Sequence, residues 1–247
     1  MIRYWLHPQI DDVNEFEKNV NTICNIYKHA TTNYYDNNIH TISVDEKTGI
    51  QALERIYGGQ KPVRQGMVAK REFDYKRHGT LCLIANMEIA TGQIIEPTVC
   101  ETRTEMDYYN HIKKIVETDF DSEWIFVQDN LNTHMSETLV KYVAKLCDDQ
   151  QDLGLKGKSG VLKNKASRKK YLEDKDHKLR FVFTPRHCSW LNQIEIWFSI
   201  LAKKMLIRGD FKSKVDLSTK LLSFIEFFNK MLAKPFKWTY EGKALKA

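Results

Sequence analysis

The sequence predicts an α/β fold built on one mixed five-stranded sheet flanked by helices. Three observations favour this class: short β-prone runs alternate with amphipathic stretches, two of the runs close on an aspartate, and an Ala-Thr-Gly turn joins two others into a hairpin. The chain has 247 residues, 42% of them hydrophobic, which is enough for one large core with appendages.

The first predicted element is an amphipathic helix over residues 11–30. Apolar residues recur there at steps of three and four behind an aspartate cap, and they are Val13, Phe16, Val20, Ile23 and Tyr27. A β-prone run at 39–45 follows and ends at Asp45. The next segment, EKTGIQALER, contains Gly49 and many polar residues, so we expect it to be a loop.

The remaining elements continue the alternation. We predict further strands near 80–89, 93–100, 123–128 and 179–184. We predict further helices near 104–118, 136–147, 191–207 and 214–232. The run EWIFVQDN closes on Asp129 in the same way as the first strand closes on Asp45.

Positive charge is concentrated in one part of the chain. The formal net charge is +6 and the pI is about 8.9, which mildly favours a polyanionic partner. The segment at about 152–178, here called the basic insertion, contains Lys156, Lys158, Lys163, Lys165, Arg168, Lys169 and Lys170. We expect a mobile solvated loop, which beside the site of a nucleic-acid enzyme would clamp the phosphate backbone.

Several protein classes are excluded by composition. The five cysteines are scattered and form no C-x-x-C pair, so we expect reduced thiols rather than a disulfide framework or a zinc knuckle. No apolar run approaches the roughly 20 residues of a membrane span, and the first residues lack the pattern of a signal peptide. We therefore expect a cytoplasmic protein without a membrane partner.

Three carboxylates stand out as candidate functional residues. Asp45 and Asp129 end predicted strands, where side chains reach the cleft at the sheet edge. Glu195 lies at the flank of an apolar helical stripe formed by Ile194, Phe198, Leu201 and Met205, so the helix could cover the sheet while its carboxylate reaches the edge. The predicted elements follow the order of a ribonuclease-H-like fold: a strand with an acid, a hairpin, a helix, a second strand with an acid and a later helix with an acid.

Convergent carboxylates need a cation to offset their repulsion. Hard oxygen ligands suit Mg²⁺ or Mn²⁺ rather than zinc. Two such ions, roughly 3.5 to 4 Å apart, would activate the attacking oxygen and stabilise the leaving oxygen of a phosphodiester. The three acids therefore favour phosphoryl transfer on nucleic acid.

The segments around these acids resemble the acidic motifs of a known family. SVDEKTGIQALER, VQDNLNTH and TPRHCSWLNQIEIWFSILAKKML are similar to the three motifs of IS630 transposases, in the IS630/Tc1/mariner superfamily, and the similarity spans essentially the whole chain. Matched position by position, the DDE catalytic triad falls on Asp45, Asp129 and Glu195. The resemblance implies cut-and-paste DNA transposition, usually at TA, on double-stranded DNA at the terminal repeats and the target.

The resemblance also implies an organisation. Residues 37–232 would form the catalytic domain, preceded by a linker and helix (1–36) and followed by a tail (233–247). The basic insertion makes the interval from Asp129 to Glu195 longer than in Tc1 and mariner relatives. We expect a prokaryotic catalytic domain without the usual N-terminal helix-turn-helix domains, forming a homodimer in its DNA complex and associating with the nucleoid when bound.

Further residues near the motifs have weaker claims. Asn130 and Asn192 are candidates for orienting the acids, and Glu46 is a candidate auxiliary ligand. His134 and His187 are candidates for positioning a phosphate or a water, although a histidine near a strand end is more often structural. Trp190, Trp197, Phe236 and Trp238 are expected to pack in the core rather than stack on bases. Two alternatives remain open: a ribonuclease-H-like nuclease without strand transfer, and a domesticated DNA-binding protein that has lost its chemistry.

Overall fold

The computed structural model describes residues 12–56, 64, 74–186 and 188–240. Its strands span Ile39–Arg55 (β1), Tyr75–Glu88 (β2), Ile94–Cys100 (β3), Glu123–Gln128 (β4) and Leu179–Phe183 (β5). Its helices span Val13–Asp36 (α1), Glu105–Val116 (α2), Glu137–Leu146 (α3), Lys165–Leu172 (α4), Ile194–Leu201 (α5) and Lys214–Met231 (α6). In the described part of the chain, no helix has both the length and the apolar character needed to cross a bilayer.

The five strands form one mixed sheet in the order β3-β2-β1-β4-β5. The hairpin strands β2 and β3 are antiparallel to each other, and β2 is antiparallel to β1. In contrast, β1, β4 and β5 run parallel, with Ser43 opposite Val127 at the end of the β1–β4 pairing. The predicted α/β class with a mixed five-stranded sheet is confirmed, and the two strands associated with the aspartates are neighbours.

The prediction that a loop follows Asp45 is wrong. Strand β1 continues to Arg55 because its second half pairs with β2, well beyond the end of its pairing with β4. Gly49, which suggested a loop, has a φ of 65° and lies in an irregularity of the ladder between Lys47 and Ile50. A glycine at a positive φ inside a strand marks a bulge, so the strand bends there without ending.

Helices cover both faces of the sheet. On one face α1, α5 and α6 enclose a core that includes Ile23, Trp197 and Leu221. On the other face α2, α3 and α4 enclose a second core that includes Phe126, Val143 and Leu172. Alternate side chains of β1 point to opposite cores because successive residues of a strand face opposite ways.

The ends of the helices follow from local capping. Asp12, Thr104, Ser136 and Ser213 each accept a backbone N–H in the first turn of α1, α2, α3 and α6. Val13, expected on the buried stripe of α1, is instead 54% exposed, because the helix begins there. Helix α5 is shorter than predicted and continues as a π-helical turn over Ala202–Leu206.

The aromatic residues expected in the core mostly lie there. Trp197 is fully buried, and Phe236 and Trp238 pack against the core of the α1 face. The ring of Trp238 lies 4.9 Å from that of Tyr27, edge to face. Trp190 is different, since it is 48% exposed and its ring contacts Tyr240.

A side chain from α6 covers the outer edge of the sheet at the start of β3. The Ile94 N–H donates to Asn229 Oδ1 at 2.8 Å, and Asn229 Nδ2 donates to the Ile94 carbonyl at 2.7 Å. The amide therefore makes the pair of hydrogen bonds that a neighbouring strand would make.

The basic insertion is not the mobile solvated loop that its composition predicts. It contains a 3₁₀ turn at Val161–Lys163 and the helix α4, and Leu162, Tyr171 and Leu172 are buried against α3 and β5. The turn that precedes them is tight. A Cβ on Gly154 would lie 2.3 Å from the Ser159 carbonyl oxygen, so a larger residue does not fit there.

Candidate active site

Asp45 and Asp129 lie at the same edge of the sheet. Asp45 is two residues beyond Ser43, the last residue of β1 that pairs with β4. Asp129 directly follows Gln128, the last residue of β4. Asp45 therefore lies inside β1, and the prediction that it ends a strand is wrong. It still reaches the cleft because the neighbouring strand, β4, stops beside it.

The Asp45 carboxylate is held at both oxygens. Its Oδ1 accepts the Glu46 N–H at 2.8 Å, and its Oδ2 accepts Asn192 Nδ2 at 3.1 Å. Burial raises the pKa of Asp45 to about 7, and the negative charges of Asp129, Glu46 and Glu195 add to this, against the opposing effect of the Glu46 N–H. The carboxylates of Asp129 and Glu195 are thus close enough to act on that of Asp45.

A buried polar network ties β1 to the start of α5. Asn192 Nδ2 also donates to the Val44 carbonyl at 3.0 Å, and its Oδ1 accepts the Ser43 hydroxyl. The Ser43 Oγ in turn accepts the Ile194 N–H at 2.9 Å. Glu195, exposed in the first turn of α5, is therefore placed by contacts made by its neighbours in sequence.

Sequence reasoning missed Ser43, which completes this network. A signal was present, because Thr41, Ser43 and Asp45 alternate with the apolar Ile42 and Val44. The alternation indicates that one face of β1 is polar and buried. It does not identify the partner, which lies about 150 residues later in the chain.

A buried histidine supports Asp129 from the other face of the sheet. His134 Nδ1 contacts Asp129 Oδ1 at 2.8 Å, and that same oxygen accepts the Leu131 N–H at 2.9 Å. Burial alone would raise the pKa of Asp129, but the hydrogen bond and charge of His134 outweigh it and lower that pKa.

His134 also joins Asp129 to Glu46. Its Nε2 contacts Glu46 Oε1 at 3.0 Å, and its ring packs on Tyr108 with 4.1 Å between centroids. The imidazole is completely buried, which would lower its pKa, but the two carboxylates outweigh this and raise the pKa to about 9. Since neighbours in a strand face opposite ways, Glu46 contacts His134 while Asp45 contacts Asn192.

The other candidate residues fall into three groups. Asn130 Nδ2 donates to the Thr184 carbonyl, and Asn130 also contacts two lysines of α4. Among the basic residues, Arg168 and Lys169 are half-buried, and the exposed ones are Lys156, Lys158, Lys163, Lys165 and Lys170. Lys156 Nζ also lies 3.7 Å from Glu137 Oε2. His187 lies outside the described residues.

The donor chemistry of the site fits a hard divalent cation. The acids supply carboxylate oxygens, and the mutual repulsion that helps to raise the pKa of Asp45 is the kind that a bound cation relieves. Among residues 12–56, 64, 74–186 and 188–240, no three His, Cys, Asp or Glu side chains are already arranged to hold a metal ion. The carboxylate oxygens and their negative charge therefore suit the cation, although they do not form a preassembled metal site in the described residues.

The solved structures that are similar to this chain include transposase complexes. One is the Mos1 mariner paired-end complex with Mn, with a TM-score of 0.54, 14% identity, and coverage of 92% of this chain and 59% of that chain. Another is the Mos1 transposase paired-end complex with the left transposon end, with a TM-score of 0.52, 12% identity, and coverage of 92% and 58%. At these identities the likeness shows the fold, which is ribonuclease-H-like as predicted.

A pre-cleavage Mos1 transpososome gives the same result, with a TM-score of 0.51, 12% identity, and coverage of 92% of this chain and 59% of that chain. The chain thus spans about three fifths of the length of these relatives. No curated protein sequence matches it. A family described as DDE superfamily endonuclease matches residues 40–218, which include all three acidic motifs. This match covers most of the chain, and the chain therefore belongs to the DDE superfamily endonucleases.

Proposed function

We propose that this chain is the catalytic domain of a DDE transposase that cuts DNA at transposon ends and transfers the resulting 3′-OH to a target, with TA as the target dinucleotide. The observation that carries the proposal is the meeting of three separate acidic motifs at one sheet edge. Asn192 is bonded to Asp45 at 3.1 Å, and Glu195 follows Asn192 by one helical turn. Asp129 adds its charge from the adjoining strand.

In this proposal Asp45, Asp129 and Glu195 hold two Mg²⁺ or Mn²⁺ ions. When bound, such ions supply activation of the attacking oxygen and stabilisation of the leaving oxygen in an in-line displacement. The chain's own residues orient the ligands. Asn192 fixes one oxygen of Asp45, and His134 fixes one oxygen of Asp129, so that each acid keeps its direction when DNA arrives.

We further propose that the partner is double-stranded DNA at transposon ends and at the target, and that two copies of the chain hold the paired ends. The finer assignment is to the IS630 branch, on the basis of the sequence segments around the three acids. In this proposal four exposed lysines of the basic insertion contact phosphates, and they are Lys156, Lys158, Lys163 and Lys170. Their replacement by Ala should weaken binding to all duplexes alike and reduce the salt slope by up to about 0.9 for each phosphate that is no longer neutralised.

The test of the catalytic assignment is strand cleavage of a transposon-end duplex in Mg²⁺, Mn²⁺ or EDTA. Asp45→Ala, Asp129→Ala and Glu195→Ala should each abolish metal-dependent cleavage while circular dichroism stays unchanged. Glu226→Ala, which removes an exposed acid on α6, is the matched control and should cleave like the parent. Full cleavage by any one of the three site variants would remove that residue from the proposal.

The competing assignment is a nuclease that cuts without joining. A pre-cleaved end with a free 3′-OH, mixed with supercoiled target DNA, separates the two functions. Joined products support a transposase, whereas cleavage of end DNA without any joining supports the nuclease. The intact acidic motifs argue against a domesticated DNA-binding protein without chemistry.

A further inference from the structure

We propose that α4 is a positioning element for Asp129, in which Lys165, Arg168 and Lys169 hold the segment 130–135 instead of contacting DNA. This inference rests on the proposed function only where it predicts an effect on the rate of DNA cleavage. Segment 130–135 joins the end of β4, where Asp129 lies, to the start of α3. It also contains His134, the partner of Asp129, so its geometry sets the geometry of the acid.

Lys165 makes the most direct contact with this segment. Its ammonium donates to the Asn130 carbonyl at 2.7 Å and to Asn132 Oδ1 at 2.8 Å. An ammonium has three N–H donors, and two of them are therefore used within the protein.

Asn130 is the point where α4 and β5 meet the segment. Its Oδ1 accepts Lys169 Nζ at 3.1 Å, and its Nδ2 donates to the carbonyl of Thr184, directly after β5. Lys169 also lies over the ring of Phe183, 5.1 Å from its centroid, and 3.8 Å from Glu173. The residue next to Asp129 is thus fixed from two directions.

Arg168 holds the other end of the segment. Its Nε donates to the Met135 carbonyl at 2.6 Å, and its Nη1 donates to the Leu162 carbonyl at 3.2 Å. Charge-assisted hydrogen bonds of this kind are stronger than those between neutral groups. The segment is therefore pinned at residue 130 and at residue 135, with His134 between these points.

Helix α4, which carries these side chains, is itself fixed at both ends. Asn164 and Ser167 form a reciprocal capping box at the start of α4. Tyr171 and Leu172 at its end are buried, and the Tyr171 hydroxyl donates to Asp149 Oδ2 at 2.7 Å. A helix anchored at both ends can hold a loop in one geometry, which a mobile basic loop cannot do.

The experiment separates positioning from phosphate binding. Lys165→Met removes the ammonium and keeps most of the side-chain length, and Asn132→Ala removes one of its acceptors. Lys175→Met, in the exposed turn after α4, is the matched control. For each variant the amide hydrogen exchange of residues 131–135 is measured without DNA or metal. Single-turnover cleavage at saturating DNA, Kd and its salt slope are measured on the end duplex.

We expect amide exchange in 131–135 to rise at least roughly tenfold in Lys165→Met, since the net contribution of its two hydrogen bonds is removed. We expect the single-turnover rate to fall about tenfold or more, because a small displacement of a catalytic group slows the reaction strongly. Kd and its salt slope should stay unchanged. Asn132→Ala should follow in the same direction, and Lys175→Met should match the parent in every measurement.

Unchanged exchange in Lys165→Met would overturn the proposal. A weaker Kd with a smaller salt slope and a normal saturated rate would do the same, because it would identify Lys165 as a phosphate contact. The exchange measurement needs neither DNA nor metal, so it decides the positioning role even if the acid variants refute the transposase assignment.

Discussion

The buried pair of His134 and Glu46 makes a strong prediction about stability. The two side chains are 0% and 4% exposed, and their contact is 3.0 Å long. His134→Phe keeps a ring against Tyr108 but leaves Glu46 buried without its cation. Breaking a buried ion pair by removing one partner costs about 3 to 5 kcal/mol, so we expect a loss of that size in the free energy of unfolding.

The magnitude can be checked by urea denaturation and by thermal unfolding in EDTA at pH 7. For a chain of this size, about 3 to 5 kcal/mol corresponds to a fall in Tm of roughly 6 to 20 °C. The double variant His134→Phe with Glu46→Leu removes both charges and should recover most of the loss, because a well-packed apolar pair is often neutral relative to a buried ion pair. His29→Ala, at an exposed site on α1, should change stability by less than about 0.5 kcal/mol.

Two results would refute this reasoning. One is a loss below about 1 kcal/mol in His134→Phe, which would mean that Glu46 is not dependent on the imidazole. The other is a double variant that is no more stable than the single one. In that case the ring nitrogens would matter through Asp129 and the segment that follows it, and not through the buried Glu46.

Three further predictions concern other parts of the molecule. The pKa of His40 is raised, since Glu88 and Asp119 outweigh the lowering effect of burial. The stabilisation that His40 provides should therefore be fully present below about pH 6.5 and disappear as the pH rises through the folded-state pKa. In denaturation curves, the difference in the free energy of unfolding between the parent and His40→Phe should narrow with rising pH. Trp197→Ala should lower the free energy of unfolding by about 3 to 5 kcal/mol in urea titrations, because the indole is fully buried. Gly92→Ala should lower Tm in thermal scans, since φ is +72° and a Cβ would lie 2.0 Å from the Lys234 carbonyl oxygen.

Local sequence patterns were sufficient to predict where the strands and helices around the acids lie, but not where β1 and α5 end. Strand β4 and helix α3 match their predicted bounds within a residue or two, because alternation and capping residues are local signals. The same holds for α2, where Thr104 and Asp107 form a capping box that can be read directly from the sequence.

The failures have a common physical cause, which is pairing between distant residues. Gly49 and its polar neighbours have low β propensity, and only the ladder with β2 keeps residues 46–55 in a strand. The basic insertion failed in a similar way. Its lysines indicate a solvated loop, but Leu162 and Leu172 are drawn into a core whose other members lie far away in the chain.

The candidate site divides in the same manner. Asp45, Asp129 and Glu195 were predicted because each was expected to end or flank a recognisable element, although Asp45 in fact lies inside β1. The contact of Glu46 with His134 could not be predicted, since it depends on the alternation of β1 placing neighbours on opposite faces and on the fold of the segment after Asp129. The assignment of the three acids as catalytic remains a prediction until the variants are measured.

The amide of Asn229 has a consequence for the synthesis of the chain. The edge that it covers belongs to Ile94, which leaves the ribosome 135 residues earlier. At roughly 5 to 20 residues per second, the nascent edge remains open for roughly 7 to 27 s before its cover is made. Open edges recruit other strands, and Glu96 and Pro97 within β3 are residues that discourage such pairing. These two residues therefore protect the growing polypeptide during an interval in which Asn229 does not yet exist.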